Sequence, residues 1–124
     1  MAYARFDDNY TDHPKVAALS DAAFRLHVAA VCYCARLLTD GLIDAGEVPR
    51  LVRAYKKSAL KELIERRLLL PVTVEGDVAM YEVHDYLSHN DSRSMVLDRR
   101  SKASERQARG RAKAAAERGD TDAT

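Results

Sequence analysis

The stretch LPVTVEGDVAMYEV, residues 70–83, reads as two extended runs, LPVTV and VAMYEV, on either side of Glu75-Gly76-Asp77. A glycine in so short a connection supplies the backbone freedom that a tight turn needs, so the spacing predicts a β-hairpin tipped by two acids. What precedes it is helical. In SALKELIERRLLL the residues Leu60, Leu63, Ile64 and Leu68 recur at helix spacing, leaving Lys61, Glu62, Glu65 and Arg66 outside, and Ser58 is placed to cap the start. A further helix is expected over EVPRLVRAY, with Pro49 in its first turn and Val48, Leu51, Val52 and Tyr55 turned inward.

Upstream, Thr39-Asp40-Gly41 stops a long helix and Leu42-Ile43-Asp44 gives a short extended piece. The long helix, DAAFRLHVAAVCYCARLL, is capped by Ser20, with Asp21 at the positive end of its dipole. Phe24, Val28, Val31, Ala35 and Leu38 form one apolar stripe on it. Ala23, Leu26, Ala30, Cys34 and Leu37 form a second beside the first, so the helix is central and mostly buried, with Arg25, Ala29, Cys32 and Arg36 at its wet edge. A short helix starts near His13 or Pro14. Helix, strand, helix, helix and hairpin is the order of a winged helix-turn-helix. The fold class expected is therefore mainly α with a small β-hairpin, followed by a basic C-terminal helix or disordered tail.

With 124 residues and 47% hydrophobic content the chain suffices for one core, whereas two independent domains would each be marginal. We place that domain at residues 1–90 and a basic extension at 91–124. The net charge of +1 conceals an uneven distribution. Over residues 93–119 nine bases face only Asp98, Glu105 and Glu117, and after Leu97 no large aliphatic or aromatic residue occurs. Such an arm cannot dock by apolar burial, and its strong helix formers predict a nascent helix that firms up on a partner. No stretch approaches the apolar length of a membrane helix, and MAYARFDDNY lacks a basic region followed by an apolar run. A cytoplasmic protein without membrane association is expected.

Two features invite a chemical reading. Cys32 and Cys34 are two apart on a helix, so their side chains point to different faces and do not chelate together. VHDYLSHNDSRS, residues 83–94, crowds His84, Asp85, His89, Asn90 and Asp91 together. The two histidines are five apart across a strand-to-loop transition, where no regular element aims both at one point. Neither a nucleophile motif nor a phosphate-binding glycine loop is present to complete a catalytic site. The segment is read as a seam: His84 and Tyr86 finish the last strand, and Asn90, Asp91 or Ser92 caps the basic helix. No catalytic residue, metal or cofactor is assigned.

The stretch FDDNYTDHPKVAALSDAAFRLHVAAVCYCARLLTDGLI resembles the opening of the phage replisome-organiser family, winged-helix proteins related to DnaD-type primosomal factors. The shared features fall on Phe6, Asp7, Lys15, Val16, Leu26, Val31, Gly41 and Ile43, and VHDYLSHN is similar to the segment that closes the family's hairpin. The family pattern ends its third helix in a Gly-Leu step, where Arg67-Leu68 stands here. The resemblance implies non-enzymatic DNA binding in replication initiation or gene control of a phage or mobile element, with the third helix as reading element. On this chain that helix presents Ser58, Lys61, Glu62, Glu65 and Arg66, a mixture that sets two carboxylates toward the phosphates, and Arg50, Arg53, Lys56 and Lys57 are better placed for them. Arg99, Arg100, Arg106, Arg109 and Arg111 of the tail add affinity through counterion release. Double-stranded DNA is the expected partner. The alternative is a protein-interaction module that binds a host or phage replication or transcription factor without DNA, and a homodimer is a further candidate assembly.

Overall fold

The computed structural model describes residues 3–122. The chain divides into two units, Met1–Ser92 and Arg93–Thr124. In the first, a 3-10 turn at Tyr10–Asp12 leads to α1 (Pro14–Ala17), α2 (Asp21–Leu37) and β1 (Leu42–Asp44). A 3-10 segment, Ala45–Arg50, is followed by α3 (Lys57–Glu65), β2 (Leu69–Val74), β3 (Asp77–Val83) and α4 (Tyr86–His89). The second unit is one long helix, α5 (Arg93–Asp122). The architecture is mainly helical, with a small antiparallel sheet in the order β1-β3-β2.

Local chemistry explains where the helices begin and end. Pro14 opens α1 while the Nδ1 of His13 accepts from the Lys15 N–H at 3.2 Å. Ser20 Oγ caps α2 by accepting from the Ala23 N–H at 3.2 Å. The left-handed backbone that stops α2 starts before the glycine, at Leu38 (φ 55), and returns at Asp40 (φ 54) and Gly41 (φ 90). Gly41 is required for a second reason: a Cβ there would lie 2.9 Å from the Cβ of Tyr86.

Of the two apolar stripes on α2, the one carrying Ala23, Leu26, Ala30 and Cys34 is the deeper, although its last member, Leu37, is exposed. Phe24 and Val28 of the other are half-buried. Leu26, Ile43, Leu63, Leu69, Val48 and Cys34 are the largest fully buried side chains of the core, which α2, α3 and the sheet share. In the hairpin Leu69 pairs with Val83 and Val72 with Met80, a register shift follows Val72, and Val74 pairs with Asp77. The two-residue turn between them has positive φ at both Glu75 and Gly76, the geometry that matches the twist of the strands. Ile43 of β1 pairs with Tyr81 on the other edge of β3.

Three local expectations are corrected. EVPRLVRAY does not form an α-helix: the 3-10 segment ends at Arg50, and residues 51–56 form no regular helix. Pro49 has no N–H to place in an α ladder, and the chain closes with tighter bonds such as Leu51 N–H to the Val48 carbonyl at 3.1 Å. The inward positions survive nonetheless, Val48 fully buried and Leu51, Val52 and Tyr55 packed around the core. Ser58 does not cap α3, which starts one residue earlier with Lys56 at the cap position and no side-chain cap bond. The last strand stops at Val83, because Asp85 turns left-handed (φ 58) and drops Tyr86, at the start of α4, into the core. The basic extension takes the helical form of the two expected, as a continuous helix of 30 residues.

Candidate nucleic-acid interface

α3 ends in a motif that its sequence hides. The Leu68 N–H bonds the Leu63 carbonyl at 2.9 Å and the Arg67 N–H bonds the Ile64 carbonyl at 3.0 Å, with Arg67 left-handed at φ 59. This is a Schellman closure, which glycine usually supplies. Arg67 holds the conformation that the expected Gly-Leu step would have provided, and Leu68 passes directly into β2 as a buried residue.

Lys57 and Lys61 are one turn apart on α3 and line a shallow groove with Tyr55, Leu60, Ile64 and Glu65. Ser58 and Arg66 are exposed at the two ends of the same helix, and Arg50, Arg53 and Lys56 are exposed on the chain leading into it. Two of these bases have nearby acids: Arg50 lies 3.9 Å from Glu47, and Lys61 lies 3.9 Å from Glu65. Both are surface pairs of little energetic weight. The second carboxylate of α3 is engaged elsewhere, since Glu62 Oε2 accepts from Ser20 N–H at 3.1 Å and from Ser20 Oγ at 2.9 Å. Glu62 therefore ties α3 to the start of α2. Glu62 thus points toward the start of α2 while keeping its charge, and the hairpin tip keeps exposed Glu75 and Asp77.

On α5 the predicted residues Arg99, Arg100, Arg106, Arg109 and Arg111 are all exposed. Lys102, also exposed, pairs with Asp98 at 3.0 Å.

The first unit also contains a cavity of about 270 Å³ that sequence reasoning missed, lined by all four histidines, His13, His27, His84 and His89, with Arg5, Lys15, Tyr10 and Tyr86 among the other walls. His27 is buried, and its Nδ1 is hydrogen-bonded to the hydroxyl of Tyr10, whose ring stacks on the imidazole. Burial holds the His27 pKa down at about 4 and pushes that of Tyr10 up to about 12, so both members of the pair are neutral near pH 7. At the rim His84 meets Asp85 at 3.2 Å. Asn90, considered above as a helix cap, instead accepts from the Arg5 N–H at 2.7 Å, and Arg5 reaches Asp91 at 3.3 Å. Among the described residues no three His, Cys, Asp or Glu side chains converge as a metal-binding group. Cys32 and Cys34 are free thiols, half-buried and buried. Among the same residues no helix is long and apolar enough to cross a membrane.

No protein-family model, curated protein or solved structure matches this chain.

Proposed function

We propose that the chain is a non-enzymatic, duplex-DNA-binding protein of winged-helix type, acting in replication initiation or gene control of a phage or mobile element in the bacterial cytoplasm. The observation that carries the reading is α5. On this helix nine exposed bases face three acids over residues 93–119, and the ligand that rewards such a surface is a polyanion. The element order supports the winged-helix class, since α3 leads straight into a hairpin whose second strand lies between β1 and β2. The left-handed Arg67 supports it further by keeping the exit geometry that the resembled family builds with glycine. In this reading α3 enters the major groove with Lys61 and Arg66, while Arg50, Arg53, Lys56 and Lys57 hold the backbone.

A second reading has a specific observation behind it. The hairpin tip is acidic, and Val74 and Val78 beside it are exposed, a surface that favours a protein partner over phosphates. The double substitution Lys56→Glu with Lys57→Glu separates the two. The DNA reading predicts strongly weakened duplex binding in an anisotropy titration. Unchanged duplex affinity in that variant would contradict the assigned phosphate contacts and favour the protein partner.

A further inference from the structure

We propose that α5 holds the phosphodiester backbone with one face only, a line of arginines formed by Arg100, Arg111 and Arg118, while the more numerous bases of a second face stabilise the helix itself. The inference rests on the DNA-binding reading and assigns its contacts.

A helix turns about 100° per residue, so residues seven and eleven apart come back to nearly the same side. Arg93, Arg100, Arg111 and Arg118 are spaced seven, eleven and seven, which sets all four within a narrow strip along α5. Within residues 93–118, the positions one turn before or after Arg100, Arg111 and Arg118 are Val96, Leu97, Ala103, Ser104, Gln107, Ala108, Ala114 and Ala115. None is acidic. In the sequence Asp122 follows Arg118 by four residues.

The other bases follow a different rule. Arg99, Lys102, Arg106, Arg109 and Lys113 are spaced three and four apart, which is the spacing of a single helix face. All three acids of residues 93–119 belong to this row. Asp98 pairs with Lys102 at 3.0 Å, Glu105 is one turn before Arg109, and Glu117 is one turn after Lys113. Pairs at this spacing support a helix that has no apolar face to bury, and they leave the row largely neutralised.

The two faces therefore differ in what they offer a ligand. The compensated row carries five bases with three carboxylates among them, which a phosphate chain would have to approach. The arginine line carries no carboxylate over its length, and every member presents a guanidinium fork that fits a phosphate with paired hydrogen bonds.

Two full-length variants that lose the same charge decide the matter. In one, Arg100, Arg111 and Arg118 become Gln; in the other, Arg99, Arg106 and Arg109 become Gln. Binding to a short random duplex is followed by anisotropy over a range of salt, with helix content checked by far-UV circular dichroism. The first variant should lose about 2.7 from the log–log salt slope, at 0.9 per phosphate contact, and the second less than about 1. A loss of helix content confined to the second variant would support the stabilising role of its face. Equal losses of slope, or a larger loss in the second variant, would overturn the assignment while leaving DNA binding intact. An unaltered chain that binds no duplex would overturn the functional reading and this inference with it.

Discussion

His27 shows how a single buried group ties the N-terminal segment to the central helix. Its neutral imidazole is hydrogen-bonded to the Tyr10 hydroxyl inside the fold, where a charge on the ring would be poorly solvated. Its pKa falls from 6.5 in the unfolded chain to about 4 in the folded one. Between those values the unfolded chain binds the proton and the folded chain does not. The contribution is therefore complete above pH 6.5 and is lost as the pH falls toward 4, amounting to about 3 kcal/mol. Urea midpoints measured from pH 7 to 5 should fall in the native chain and fall less in His27→Gln; parallel curves would contradict the assignment. Helix spacing makes the burial legible, since His27 continues the row Ala23, Ala30 and Cys34. Its partner is not legible, because Tyr10 is seventeen residues away and no periodicity links the two. Arg67 is the second such residue. A left-handed backbone disfavours any side chain, so Arg67→Gly should raise stability by about 1 kcal/mol, read as a higher denaturation midpoint. A lower midpoint would show that the arginine side chain makes a contact worth more than the backbone strain.

The helices differ in how much of their register the residues alone convey. On α2 a wide apolar surface, with Arg25 and Arg36 together on the one wet edge, fixes the buried side. Leu26, with no exposed surface, should cost about 2 to 5 kcal/mol when changed to Ala, and exposed Arg36 far less. Equal losses in chemical unfolding would mean that the helix is turned otherwise. The segment at residues 45–55 was harder to read because its apolar spacing suits a helix while Pro49 and Gly46 disfavour an α ladder. Periodicity reports which side chains are buried and is silent about the hydrogen bonds that carry them. Gly41 is an element boundary set by a tertiary contact. Gly41→Ala should cost about 2 to 5 kcal/mol through its positive φ and the crowding of Tyr86, measured by thermal or urea unfolding. A near-neutral effect would show that β1 and α4 can move apart at this point.

At the scale of the whole chain, the hairpin, the short first strand and the change from a mixed to a basic composition could all be read from residue order. The cavity at the N-terminal segment could not, because its histidines come from three separate stretches, around His13, around His27 and over His84–His89, that only the fold brings together. A chain cut after Ser92 should retain a cooperative melt, since the cluster of fourteen buried core residues, from Val16 to Tyr86, lies before that point. Failure of that fragment to fold would assign α5 a part in the core. The central claim is that the full-length protein uses its basic surface to hold duplex DNA. The direct measurement is the affinity of the intact chain for a random duplex across a series of salt concentrations. Binding that weakens linearly in log–log form, with a slope steeper than about −2.7, is the predicted result. Absence of binding at low salt, or a slope near zero, would contradict it.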